Sequence, residues 1–147
     1  MYTPLQTLIE EKGFQVHTIG PEASVLQAVR AMNEAHIGAL LVTQRGKLIG
    51  IFSERDVLAR VVAERRDPSS AKVADVMTTN IAVVPPSLTV KEAMAVVTEK
   101  RCRHLPVMKG AELVGVISAG DLTRWATRDQ AQTIEDLVRY ITGQYPG

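Results

Sequence analysis

The chain reads GIFSERD at residues 50–56 and GVISAGD at residues 115–121, so the pattern Gly-x-x-Ser-x-x-Asp occurs twice, 65 positions apart. Around this pattern, Val16–Leu58 aligns with Ile81–Thr123 without a gap, and ten of the 43 aligned pairs are identical. Among the other pairs, Ile49/Val114, Ile51/Val116 and Phe52/Ile117 exchange one apolar residue for another. A repeat of this size predicts two copies of one unit that pack together, because about 45 residues cannot bury their own sheet and helices.

Composition limits the classes of protein to which the chain can belong. Its 147 residues are 46% hydrophobic and 22% charged, as in a soluble globular domain, or in two half-domains that share a core. A net charge of +1 gives no field that would favour nucleic acid or a membrane. The single cysteine excludes an internal disulfide and a multi-cysteine zinc site. Because Met1–Glu11 does not resemble a signal peptide and no apolar run is long enough to span a bilayer, we expect a cytoplasmic protein.

Hydrophobic periodicity changes in the same order in both copies, which predicts an α/β fold with β-α-β-β-α in each repeat. A short strand ends at proline, an amphipathic stripe capped by Ser24 or Thr89 predicts a helix, and two apolar runs joined by a turn predict a hairpin. A second helix then begins at Glu54 or Ala119. The predicted strands are 16–19, 39–43 and 48–52 in the first copy and 81–84, 104–108 and 113–117 in the second.

Short helices are expected outside the repeats. The predicted division is an N-terminal helix in 1–15, repeat 1 in 16–64, a polar linker in 65–75, repeat 2 in 76–128 and a C-terminal helix and tail in 129–147. In the tail, the stretch 133–142 carries apolar residues at helical spacing and is followed by Gly143. This stripe packs either on the chain's own core or on a second subunit, and both alternatives stay open at this point.

The repeated motif has two readings. Ser53 and Ser118 each stand where a strand gives way to a helix, so their hydroxyls and the first free N–H groups face a point that favours an anion. Asp56 and Asp121, one turn later, offer two acceptor oxygens that suit the two hydroxyls of a ribose. The same Ser-x-x-Asp spacing is also typical of a capping box, in which the aspartate binds the N–H of the cap residue. The two roles can coexist.

This doubled unit resembles the tandem pair of CBS domains (cystathionine β-synthase domains). Further matches are DVMT at residues 75–78 and RHLPV at residues 103–107, and the similarity runs from Val16 to about Thr127. The resemblance implies two repeats packed about a pseudo-twofold axis. It also implies a cleft between them for an adenosine-containing molecule (AMP, ADP, ATP, NAD or S-adenosylmethionine), and a flat homodimer. It implies a regulatory sensor with an unidentified regulated partner rather than an enzyme; a dimerising scaffold that binds no nucleotide is the alternative.

Carried over residue by residue, the resemblance implies two unequal sites. Arg103 and His104 would supply charge-assisted bonds to phosphates at the Asp56 site, whereas the aligned Gly38 and Ala39 have no side-chain donor. The charged nucleotide is therefore expected at Asp56, and a weaker or less charged ligand at Asp121. The better site would comprise Ser53, Arg55, Asp56, Thr78, Asn80, Ile81, Ala82, Cys102, Arg103 and His104, and the weaker site Val16, His17, Ile37, Gly38, Ala39, Ile117, Ser118 and Asp121.

Four residues carry competing interpretations. Arg103 is a phosphate ligand, a solvated charge at a strand edge or half of a salt bridge at a dimer face. Cys102 and His104 share a strand face, but a structural cysteine is the simpler reading than a thiolate pair. Trp125 fits packing or a subunit contact better than base stacking. No metal-ligand spacing and no nucleophile or phosphate-loop motif is present, so neither a metal site nor an enzyme is expected.

Overall fold

A computed structural model of the chain describes residues 2–13 and 15–141, with the side chains of all of these except 129–136 and 140. The helices are α1 Leu5–Lys12, α2 Val25–Ala35, α3 Glu54–Asp56, α4 Val73–Val76, α5 Val90–Lys100 and α6 Ala119–Ile141, and a π-helical segment Val57–Val62 continues α3. The strands are β1 Thr18–Ile19, β2 Ala39–Gln44, β3 Lys47–Ser53, β4 His104–Lys109 and β5 Glu112–Ser118.

Both repeats contain the predicted hairpin and helices, which confirms the predicted α/β fold. In the first repeat β1 pairs in parallel with β2, and β2 pairs antiparallel with β3. In the second, β4 and β5 form the same antiparallel hairpin, with a register shift at the equivalent place, after Val107 as after Val42. Ser24 and Thr89 cap α2 and α5, as predicted, and each cap is part of a reciprocal capping box.

The predicted strand 81–84 is wrong: it is reduced to a single parallel bridge between Val84 and Val107. The cause is Pro106, which aligns with Leu41 of the first repeat. The Leu41 N–H donates to the carbonyl of His17 at 3.1 Å, and this bond extends β1. A proline has no N–H to donate, so the corresponding bond cannot form in the second repeat.

Each repeat is completed by the helix that precedes the other repeat. The first core gathers α2, β2, β3 and the π-helical segment around Val73 and Val76 of α4. The second core gathers α5, β4, β5 and α6 around Leu5, Leu8 and Ile9 of α1. The segments before the two repeats therefore cross over, and each lies against the Gly-x-x-Ser-x-x-Asp motif of the opposite repeat.

The motif glycines permit these crossings. A Cβ at Gly50 would lie 2.6 Å from Met77 Sδ and 3.1 Å from the carbonyl oxygen of Thr78. The backbone of Thr78 needs that proximity, because its N–H and C=O both bond to Ile51, at 2.8 and 2.9 Å. A Cβ at Gly115 would lie 3.2 Å from two side-chain carbons of Ile9. The motif glycine in each repeat thus allows the crossing segment to pack closely against the strand.

The predicted C-terminal helix is present as the end of α6, which runs unbroken for 23 residues from Ala119 to Ile141. No glycine or proline interrupts the sequence between Asp121 and Ile141, so nothing ends the helix after the repeat. Among the stripe residues whose side chains are described, Leu137, Val138 and Ile141 are exposed rather than packed on the core. The side chain of Ile134, and Thr142 with Gly143, lie outside the described residues.

Candidate functional site

Asp56 is buried at the start of α3, with 3% of its surface exposed. Its Oδ2 accepts bonds from the N–H of Ser53 at 2.9 Å and from the Ser53 hydroxyl at 3.2 Å, and its Oδ1 accepts from the Thr78 hydroxyl at 2.9 Å. Arg60 Nε lies 3.7 Å from Oδ1. The carboxylate thus binds the start of its own helix to the segment that enters the other repeat, and the cap-like contacts of the motif are present.

Asp121 has a more charged environment. Its Oδ2 accepts from the Ser118 N–H at 2.8 Å and from Lys12 Nζ at 2.7 Å, and its Oδ1 pairs with Arg124. The Asp121 N–H donates to Ser118 Oγ at 3.0 Å, which completes a reciprocal capping box. Lys12 Nζ also donates to the carbonyl of Val116 at 3.0 Å. The end of α1 is thereby fixed to both β5 and the start of α6.

Sequence reasoning missed Lys12, Arg124 and Arg60. Lys12 lies before the aligned repeat, and its importance depends on the crossing of α1 to the second motif. One signal was available: extended backwards, the repeat aligns Lys12 with Met77 and Gly13 with Thr78. The two aligned segments therefore make equivalent contacts: Thr78 bonds to Asp56 of the first motif, and Lys12 bonds to Asp121 of the second.

The pKa of Asp121 lies below its ordinary value of 3.8. Burial by itself raises this pKa, but the hydrogen bond from Lys12 and the backbone bond from Ser118 outweigh it. A depressed folded-state pKa contributes stability that is present above the unfolded-state pKa and is lost as the pH falls through the folded-state value.

We expect Lys12→Met to raise the pKa of Asp121, as measured by carboxyl-carbon NMR titration. The free energy of unfolding should fall most near neutral pH, and the difference from the wild type should shrink as the pH falls through the lowered folded-state pKa, where Asp121 becomes protonated in both proteins. A stability difference that stays constant while the NMR titration shows Asp121 becoming protonated would show that Lys12 acts through packing instead.

Arg103, His104 and Cys102 lie at the start of β4. The carbonyl of Arg103 accepts from the Ala119 N–H at 2.8 Å, and His104 pairs with Ser118 across the hairpin. Arg103 is exposed, Cys102 packs partly against the second core, and the pKa of His104 is lowered, first by burial and then by the charge of Arg103. These contacts lie beside the second motif, and the predicted role of Arg103 and His104 at Asp56 stays a prediction.

The equivalent residues of the first repeat occupy the equivalent place. The carbonyl of Gly38 accepts from the Glu54 N–H at 3.1 Å, and Ala39 pairs with Ser53. Of the other candidates at the predicted sites, Ile37, Val16, His17, Ile81 and Ala82 are half-buried, Ile117 is buried, and Arg55 and Asn80 are exposed. Thr78, in the crossing segment, donates its hydroxyl to Asp56 Oδ1.

A cavity of about 640 Å³ opens between α1 and α6 beside Asp121. Its charged lining includes Glu11, Lys12, Asp121, Arg124 and Arg128. Trp125, which also lines the cavity, packs against the second core, and its ring is covered by the Arg128 guanidinium at 4.5 Å. That arrangement favours the packing interpretation of Trp125.

Two features of the described residues bear on the chemistry of the site. Within residues 2–13 and 15–141, no group of three or more histidine, cysteine, aspartate and glutamate side chains is placed to hold a metal ion. Among the helices of that part of the chain, none is long and apolar enough to cross a membrane.

The crossed pair of repeats, with a Gly-x-x-Ser-x-x-Asp motif at the same place in each, matches a known family. The model of the CBS domain matches residues 13–63 and 73–128, most of the chain. The protein belongs to the CBS domain family. It carries two CBS domains, as the resemblance in the sequence implied.

Its relatives include other CBS proteins. The chain is 35% identical over 127 residues to the mitochondrial CBS domain-containing protein CBSX3 of Arabidopsis thaliana, covering 83% of this chain but 62% of that protein. It is 31% identical over 108 residues to YhcV of Bacillus subtilis, covering 74% and 76% of the two chains. A solved CBS protein from Burkholderia ambifaria, described as acting in signal transduction, superposes with a TM-score of 0.84 at 37% identity, covering 87% and 96%.

Proposed function

We propose that this CBS pair is a regulatory module that binds an adenosine-containing nucleotide through Asp56, Asp121 or both, and passes its occupancy to a partner protein. The observation that carries the proposal is the placement of two motif aspartates at helix starts, each in contact with the segment that crosses from the other repeat. The assignment to the CBS family supports a regulatory rather than a catalytic role.

A ribose at Asp56 would have to exchange with donors that the carboxylate already binds. The hydroxyls of Ser53 and Thr78 are the exchangeable donors, because both can rotate towards other acceptors, whereas the Ser53 N–H is fixed at the helix start. Displacing Thr78 loosens the side-chain bond between the first motif and the segment that leads into the second repeat. Binding would in this way change how the repeats are joined, which is the differential contact that a population shift requires.

The apolar surface supports self-association as part of the proposal. Leu58 and Val62 on the π-helical segment are 67% and 63% exposed, and Leu137 and Ile141 on α6 are 56% and 80% exposed. Exposed apolar side chains in groups mark interaction surfaces. A homodimer that covers these helices is the arrangement we propose, with the cytoplasm as its location.

A dimerising scaffold without nucleotide is the second candidate. One observation favours it: the Asp56 carboxylate is satisfied by the chain's own donors, as a purely structural cap would be. The two candidates differ in their response to added nucleotide.

Thermal unfolding of the purified protein with AMP, ADP, ATP, NAD or S-adenosylmethionine tests the proposal. A nucleotide present at 100 times its dissociation constant stabilises the folded state by about 2.7 kcal/mol, and each kcal/mol shifts the Tm of a domain of this size by about 2–4 °C. We therefore expect at least one nucleotide to raise the Tm by several degrees, with GTP as the matched control for base recognition. A Tm unchanged by all five ligands would favour the scaffold.

A further inference from the structure

The cavity between α1 and α6 is lined by charged residues whose aligned positions in the first repeat carry different side chains. It gathers three cations, Lys12, Arg124 and Arg128, around Asp121 and Glu11. At the aligned positions of the first motif, Lys12 is replaced by Met77, Arg124 by Ala59 and Arg128 by Ala63. The repeat itself therefore does not require cations at these three positions.

The cations are paired with carboxylates, and Lys12 Nζ also donates to the backbone carbonyl of Val116. Lys12 and Arg124 share Asp121, and Arg128 pairs with Glu11 at 3.0 Å. Their side chains are accessible, with exposures of 39% for Lys12 and 73% for Arg124, whereas Asp121 is only 13% exposed. An incoming ligand thus meets the cations first and the carboxylate behind them.

We propose that Lys12 and Arg124 make this cavity selective for a phosphorylated nucleoside over the free nucleoside, through an exchange of partners at Asp121. This inference rests on the proposed nucleotide binding and specifies the class of ligand that the Asp121 site takes. The ribose hydroxyls donate to the Asp121 carboxylate in place of Lys12 and Arg124, and the two released cations bind the phosphate of the same ligand.

The selectivity follows from the balance of that exchange. A nucleotide supplies both the ribose hydroxyls and the phosphate, so the Asp121 carboxylate keeps hydrogen-bonding partners and the two cations keep an anionic one. A nucleoside supplies only the diol, so it must displace two ion pairs and offers no anionic partner in return, which leaves Lys12 with the Val116 carbonyl alone. Binding of the nucleotide would also release α1 from Asp121, because Lys12 is the residue of α1 that bonds it.

Calorimetric titration with AMP and adenosine tests the inference, performed in the Asp56→Asn background so that heat reports the second half. We expect AMP to bind at least tenfold more tightly than adenosine. Lys12→Met, which places the methionine of the first repeat here, and Arg124→Ala, which places its alanine, should each bring the ratio of the two affinities close to one. Lys72→Met is the matched control, because it removes an exposed ion pair of the same length, 2.7 Å to Glu22, away from the cavity.

The outcomes separate this inference from the proposed function. Selectivity for AMP that survives both Lys12→Met and Arg124→Ala, with circular dichroism showing folded variants, overturns the role of the two cations. Binding of AMP to the wild type that vanishes in Asp56→Asn overturns the second site and leaves the proposed function standing. Absence of binding to the wild type overturns both.

Discussion

Asp56→Ala is expected to weaken nucleotide binding at the first half by about 1.5–3 kcal/mol, or about 10-fold to 150-fold in affinity, because the ribose loses a charged acceptor. The same change should lower the free energy of unfolding by about 1–3 kcal/mol, since it leaves the partly buried Ser53 N–H and Thr78 hydroxyl without their acceptor. Titration calorimetry and denaturant unfolding measure the two effects separately.

Asp56→Asn is the matched control, because it separates ribose recognition from helix capping. The asparagine oxygen can accept from the Ser53 N–H while its NH₂ group donates to Thr78, so most of the stability should be retained. The single remaining acceptor cannot take both hydroxyls of a ribose, so binding should still fall. If affinity in Asp56→Ala stayed at the wild-type level while stability fell, the capping interpretation of the motif would be correct.

Gly50→Ala should destabilise the fold by about 1–3 kcal/mol, the range for an extra methyl group in a tightly packed contact. The new Cβ would lie 2.6 Å from Met77 Sδ, which can turn aside, and 3.1 Å from the Thr78 carbonyl oxygen, which belongs to a backbone fixed by two bonds to Ile51. The crossing segment therefore has to move away from β3. Chemical denaturation gives the free energy, and nucleotide binding should weaken in parallel because Thr78 moves with the segment.

Two other glycines provide controls for this substitution. In Gly115→Ala the nearest atoms to the new Cβ would be side-chain carbons of Ile9, at 3.2 to 3.3 Å, which can shift more easily than backbone, so a smaller loss is expected. Gly20→Ala meets no atom within 4 Å and should be neutral or slightly stabilising, since alanine restricts the unfolded chain. Equal stability of all three variants would contradict the close approach of the crossing segment as the reason for the motif glycine.

The repeat made most of the fold predictable. The hairpins, the caps Ser24 and Thr89 and the N-terminal helix follow from local periodicity and end signals, which the structure reproduces. The prediction of a strand at 81–84 was wrong because a local apolar pattern carries no information about the strand that would pair with it. That strand contains Pro106, which lacks the pairing N–H and is 22 residues from Val84 in the chain. The length of α6 was not predicted, because the end of the repeat suggested the end of a helix, whereas no glycine or proline stops the helix there.

The site was less predictable, because it depends on which segment crosses to which repeat. Thr78 was placed correctly beside Asp56, through a resemblance rather than through spacing. Lys12 and Arg124 were missed, and with them a source of positive charge at Asp121, the half for which a less charged ligand was predicted. The ranking of the two halves stays a prediction, and the titrations in the Asp56→Asn background measure it.

Isothermal titration of AMP and ATP into the wild type and into the double variant Asp56→Asn/Asp121→Asn tests the central claim most directly. The account predicts saturable binding in the micromolar range for the wild type and none for the double variant, with both proteins folded by circular dichroism. Equal heats of binding in the two proteins would show that the motif aspartates do not hold the ligand, and no binding to the wild type would leave them as helix caps in a scaffold.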